Sequence, residues 1–309
     1  MLLLSHQELA AIKKVRFLHL LMRNILILIS ALFFIGCSSS KETSSTEKSD
    51  PQASKPIQPK PPSQQPHYKA TTPLIWDLIH TELDIAFDFK KQHVIGEAKL
   101  TVSPHFYPQN SIFIDAKAFE IKDLGLTDND SIKLNYSYND LVLAINLDKS
   151  YSKNDTLQIT INYLAKPNEV KEVSGSAIRG GQGLYFINPL NNTLGKPLQV
   201  WTQGETDYSS CWFPTLDEPN QKTTQEIAIT VPDTLKTLSN GVLEFSTENG
   251  NGTRTDIWLQ NKAHSPYLFM LAIGNFSIYE DDWRDLDVDY YTESKYVKDA
   301  PHIFKATPK

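Results

Sequence analysis

The sequence predicts an all-β chain, a large β-sandwich or open sheet domain, from three observations. Apolar and polar residues alternate with period two in successive segments, and polar turn signals recur between them. No segment of the body keeps a helical period over three turns.

The first strand follows from Leu83, Ile85, Phe87 and Phe89 alternating with Glu82, Asp84, Ala86 and Asp88. Lys90-Lys91-Gln92-His93 turns the chain. Val94, Gly96, Ala98, Leu100 and Val102 then alternate with Ile95, Glu97, Lys99 and Thr101. Further strands are expected at 112–114, 132–138, 141–147 and 157–164, with Asn139-Asp140 as a polar turn. Asn240-Gly241 signals a hairpin between Leu238 and Val242, and 249–252 a turn before 257–259. The apolar run 267–273 reads as a strand buried on both faces. Between Glu169 and Gln221 the chain is long and non-periodic. It carries Trp201, Tyr208, Trp212 and Phe213, which fits an ordered functional loop better than a disordered one.

Charge and composition narrow the function. Residues 1–73 hold nine Lys/Arg against four Asp/Glu, a net of +5, so the chain total of −6 leaves −11 on residues 74–309. A body that acidic lacks the cationic footprint of a nucleic-acid binder. Residues 74–282, roughly 200 positions, suffice for one buried core.

Residues 22–37 have a basic start and an apolar run shorter than the ~20 residues a bilayer span needs, as a signal peptide does. Phe34-Ile35-Gly36-Cys37 looks like a bacterial lipobox, which makes Cys37 the lipidated first residue of the mature protein. Met22 is the better start, so 1–21 reads as a misassigned extension. Residues 38–73 are Ser, Lys, Gln and Pro with almost nothing apolar, which predicts a disordered tether. The expected setting is the bacterial cell envelope, with the membrane reached through the lipid anchor.

Few residues are arranged for chemistry. The eight histidines lack zinc-ligand spacing, and a calcium loop counted from Asp285 places Tyr290 and Tyr296 where Gly and Glu are required. Cys211 has no Cys–His setting and reads as a small buried residue. Trp201, Trp212 and Phe213 are expected to pack the loop onto the sheet. Asp217 and Glu218 are expected to form a turn with Pro219, with Asp217 bonding local backbone amides. Gln203-Gly204-Glu205 is the candidate site. A carboxylate can pair with a free α-ammonium, an amide can add a hydrogen bond, and glycine lets a backbone come close. Taken alone, the triplet is also what a surface Glu beside a turn looks like.

Residues 198–222, Leu-Gln-Val-Trp-Thr-Gln-Gly-Glu-Thr-Asp-Tyr-Ser-Ser-Cys-Trp-Phe-Pro-Thr-Leu-Asp-Glu-Pro-Asn-Gln-Lys, resemble a signature of the aminopeptidase N family of zinc peptidases. Ser239-Asn240-Gly241, and Ser265-Pro266-Tyr267 leading to Ala272-Ile273-Gly274-Asn275-Phe276, extend the resemblance. It implies a saddle-shaped N-terminal β domain over 74–282 and the start of a truncated catalytic domain at 283–309. It assigns Gln203 and Glu205 to the substrate's amino terminus. The family binds zinc through H-E-x-x-H, which these 309 residues do not contain, so no catalytic residue, metal ligand or cofactor is expected in this chain. The expectation is the substrate-binding N-terminal half of a zinc aminopeptidase, inactive alone, whose catalytic domain is supplied in cis or in trans. A stand-alone envelope binding module derived from the peptidase is the alternative.

Overall fold

Strand β1 (Trp76–Asp88) buries Leu83 and Ile85 on one face and leaves Glu82 and Asp84 toward the other, as the alternation requires. The computed structural model describes residues 72–127, 132–171 and 181–307. The signal segment, Cys37 and nearly all of the tether therefore lie outside the described residues.

β1 pairs antiparallel with β2 (His93–Pro104), placing Leu83 opposite Ala98 and Ile85 opposite Gly96. On its other edge it pairs in parallel with β10 (Thr223–Pro232), Leu83 opposite Ile227 and Ile85 opposite Ile229. β7 (Leu157–Ala165) and β4 (Phe119–Leu126) extend the sheet beyond β2. Beyond β10 it continues through β13 (Thr253–His264) to β12 (Val242–Glu248), for seven strands in the order β12-β13-β10-β1-β2-β7-β4.

Three smaller sheets complete the fold. β3 (Gln109–Asp115), β6 (Val142–Tyr151) and β5 (Asn135–Tyr138) form one, with Asp140 at φ +68° in the expected β5–β6 turn. β11 (Lys236–Ser239), β14 (Leu271–Gly274), β9 (Gln199–Thr202) and β8 (Leu184–Ile187) form a four-stranded sheet in that order. β15 (Phe276–Trp283) and β16 (Leu286–Glu293) make a hairpin, followed by the short helix α1 (Ala300–Ile303). One core joins Leu100, Ile161 and Ile229 of the large sheet to Ile112, Ile114 and Leu143 of the three-stranded sheet and Val200, Leu271 and Ile273 of the four-stranded one. Each such side chain stabilises the fold by roughly 1.5–3 kcal/mol through burial.

Three expectations need correction. Asn240-Gly241 does not close a hairpin: β11 pairs with β14 and β12 with β13, so the turn passes the chain from one sheet to another. The run 267–273 is not one strand. Pro266–Leu268 form a 3-10 turn, and the Asn240 side chain takes the place of a partner strand, donating to Leu268 O (3.0 Å) and accepting from Met270 N–H (2.7 Å). The stretch between Glu169 and Gln221 is not one loop either, since β8 and β9 lie inside it.

That stretch is tied to β1 at its far end. Gln221, buried, accepts from Leu78 N–H at 2.9 Å and donates to Trp76 O at 2.7 Å. Gln221→Ala strands both backbone groups in the interior and is expected to destabilise the fold by about 3 kcal/mol in urea unfolding. A loss below about 1 kcal/mol would mean water replaces the side chain.

Candidate functional site

Gln203 continues β9 by one residue, its N–H donating to Gly183 O at 2.8 Å. The strand's alternation sends Thr202 to the core side, where its Oγ1 accepts from Leu271 N–H at 3.0 Å. Gln203 and Trp201 therefore share the opposite face. Gly204 is buried, and a Cβ there would sit 2.4 Å from Tyr267 O and 2.7 Å from Ser209 Oγ. No other residue fits that gap without displacing backbone. Glu205 follows and is exposed. Among the described residues, neither the Gln203 amide nor the Glu205 carboxylate makes a side-chain hydrogen bond.

The floor beneath this triplet is a buried turn. Tyr208 N–H donates to Gly204 O at 2.9 Å, and Ser209–Cys211 form a 3-10 turn whose residues are all buried. Gly183, at φ +68°, packs so closely that a Cβ would lie 1.9 Å from Tyr208 O. Ser209 Oγ donates to Pro266 O at 2.8 Å. Trp212 and Phe213 are fully buried, and the Phe213 ring stacks on Phe269 with centroids 4.8 Å apart. These two aromatics pack the loop as expected. Trp201 does not: it stays 40% exposed and stacks on Tyr185, its cross-strand neighbour, at 4.8 Å.

Behind the turn lies an ionisable cluster that motif reasoning finds only in part. Asp217 Oδ2 accepts from Ser210 N–H (2.9 Å) and Ser210 Oγ–H (2.7 Å), which is the expected bonding to local amides. Its Oδ1 is buried and has no partner among the described residues. Asp115, at the end of β3, accepts from Asp217 N–H at 3.0 Å. Lys117 is buried, and its ammonium donates to the Asp207 backbone carbonyl and to the Asp207 carboxylate (3.1 Å). The signal for Lys117 in the sequence is slight: a lone cation between two alanines just past a core strand. Burial pushes Asp217 up to about 7, against the lowering effect of the Ser210 N–H and Lys117. Burial raises Asp115 too. For Lys117 burial works downward, but Asp217, Cys211 and Asp207 outweigh it and raise the ammonium above the ordinary lysine range. The Cys211 thiol is pushed up to about 12 by burial, which makes it a poor nucleophile at neutral pH.

The remaining loop residues act as fasteners. Lys222 Nζ donates to Ser265 Oγ (2.7 Å), which donates to Pro219 O (2.8 Å). Among the described residues no group of three or more His, Cys, Asp or Glu side chains is placed to hold a metal ion. The described residues therefore do not fit a zinc centre.

The family described as Peptidase M1 N-terminal domain matches residues 64–268. Leucine aminopeptidase 2 of Vanderwaltozyma polyspora is 25% identical over 231 residues, which cover 73% of this chain and 32% of that protein. An M1 zinc metallopeptidase from Deinococcus radiodurans, bound to a Tyr-Ser-Ala substrate, has a similar fold. Its TM-score is 0.57 at 19% identity, over 70% of this chain and 47% of that one. Legionella pneumophila aminopeptidase A gives a TM-score of 0.59 at 22% identity, over 75% of this chain and 25% of that one. The chain thus spans between a quarter and a half of the length of these relatives.

Asp217 holds its proton more tightly folded than unfolded. Its stabilising contribution is therefore complete below about pH 4 and is lost as pH rises through about 7. Urea unfolding at stepped pH should show a fall on the order of 4 kcal/mol across that window, most of it absent in Asp217→Asn. An unchanged slope in the variant would assign the effect elsewhere. A Cys37→Ser variant should release no thiol to Ellman's reagent at pH 8 when native and one when denatured; fast reaction of the native protein would contradict the burial of Cys211.

Proposed function

Because this chain belongs to the peptidase M1 N-terminal domain family, we propose that it is the substrate-binding part of an aminopeptidase, receiving peptides by their free amino terminus. Glu205 pairs its carboxylate with the α-ammonium, and the Gln203 side-chain oxygen accepts a second hydrogen bond from it. One observation carries the reading: Gly204 is locked against Tyr267 and Ser209, while the flanking Gln203 and Glu205 side chains are left without hydrogen bonds among the described residues. A free carboxylate on a rigid backbone suits a ligand charge better than an internal partner.

Bond cleavage is assigned to a catalytic domain outside these 309 residues, in cis or in trans, which would hold the zinc and the attacking water. In this reading Cys37 carries the lipid that anchors the protein to an envelope membrane.

The exposure of Glu205 sets the strength of binding. An exposed ion pair contributes at most about 1 kcal/mol, a factor of about five in affinity. High selectivity then requires the catalytic half to cover and dry the site. In two-dimensional NMR titrations of this chain, a short peptide with a free amino terminus should bind about fivefold tighter than its acetylated form. Glu205→Gln should abolish that preference. Equal affinity for both peptides in the unmodified protein would refute the reading and leave the binding-module alternative.

A further inference from the structure

The strongest unassigned feature is the buried linkage behind the exposed triplet. Asp217 holds Ser210 through its N–H (2.9 Å) and its hydroxyl (2.7 Å). The Ser210 carbonyl accepts from Lys117 N–H at 2.8 Å. The Lys117 ammonium reaches to the other end of the turn and holds Asp207 by its backbone carbonyl and its carboxylate. Between these anchors, Tyr208 N–H bonds Gly204 O, and Glu205 is the next residue. Few free torsions separate the buried carboxylate from the exposed one.

We propose that Asp217 is a positioning residue for Glu205, acting through Ser210 and Lys117 to hold the turn 204–211, and that loss of the Asp217 proton loosens that turn. The proposal rests on the amine-binding reading of Glu205. Oδ2 accepts both Ser210 bonds, which leaves Oδ1, without a hydrogen-bond partner among the described residues, as the oxygen to take the proton. Among the described residues, the charged and titratable groups facing Asp217 are Asp115 from the end of β3, Lys117 just after it and Cys211 from the turn, with Asp207 on the far side of Lys117 and Glu218 beside Asp115. Lys117 is the cation of this set. While Asp217 is neutral, Lys117 is committed to Asp207. Once Asp217 ionises, a buried anion competes for the same ammonium, because an uncompensated charge there is more costly than the part-buried contact it disrupts. The Asp207 end of the turn is then released. Burial places this event near neutrality, below the range of about 7.7–8 in which a peptide's own α-amine titrates.

The test follows the backbone amides of Glu205, Asp207 and Tyr208 in the nitrogen-15-labelled chain, without peptide, from pH 5 to pH 9. The proposal predicts a common inflection near 7, absent in Asp217→Asn, whose side-chain oxygen still accepts from Ser210. Ser210→Ala removes a hydrogen bond that favours the ionised form, so its midpoint should move to higher pH. This second variant keeps the test decisive if Asp217→Asn fails to fold. With peptide, the about fivefold preference for a free amine should narrow toward none between pH 6 and pH 7.5 in the unmodified protein and change much less in Asp217→Asn, where only the peptide amine's own titration remains. No inflection at these amides, or one that survives in Asp217→Asn, overturns the proposal even if the peptide binds. An Asp217-dependent inflection without any preference for the free amine leaves the linkage standing and rejects the amine-binding reading instead.

Discussion

The parallel ladder between β1 and β10 is the constraint from which the rest of the arrangement follows. A parallel neighbour cannot be reached by a tight turn, so the chain must leave β1 at Asp88 and return to Thr223 running in the same direction. Everything between those points is folded into the crossing: the rest of one flank of the large sheet, the three-stranded sheet, and β8 and β9. The Gln203–Glu205 triplet lies at the end of that path. Its position is set by strand pairing upstream, through β9, and by the bond of Gln221 to β1 just before β10 begins. A segment fixed at both ends can carry unbonded polar side chains that a free loop would satisfy internally.

Placing the half-buried Asp115 and the buried Lys117 and Asp217 beneath this segment is not the most stable way to fill the space. An apolar replacement of similar volume is often neutral or stabilising, whereas removing one partner of such a set leaves a costly lone charge. What the set provides is direction: five hydrogen bonds from Asp217 and Lys117 hold one short turn, which apolar packing alone would leave free to slide. Cys211 and Trp212 fill the volume around it, and the stacked Phe213 and Phe269 close the floor. Shape comes from the aromatics and orientation from the charges.

Much of the fold was legible because half-buried strands write their burial into the sequence. β2 and β7 alternate cleanly and the expected ranges overlap them closely, whereas only the second half of β1 is expected, its period being broken by the register shift between Leu78 and His80. Strands β4, β8, β9, β10 and β15 lie where that argument predicts none, each for a physical reason. β4 slips register between Ile121 and Asp123, which breaks its period. β8 and β9 have four residues each, too few to show one. β10 does alternate, but its first buried positions are Thr223 and Gln225, polar residues whose burial depends on partners elsewhere in the chain. β15 carries Glu280, Asp281 and Asp282, which read as a solvated run. The same limit applies at the site. Gln203 and Glu205 stand in a recognisable motif, while Asp115 and Lys117, about ninety residues away in sequence, join it only through the three-dimensional fold.

The central claim is that Glu205 is a receptor for a peptide's amino terminus. Its most direct test is a crystal structure of this chain soaked with a short free-amine peptide. The account predicts the α-ammonium within about 3.2 Å of a Glu205 carboxylate oxygen, a second contact to the Gln203 side chain, and an unmoved Gly204 backbone. A peptide bound elsewhere, or one lying at this face with its amine turned to solvent, would contradict it.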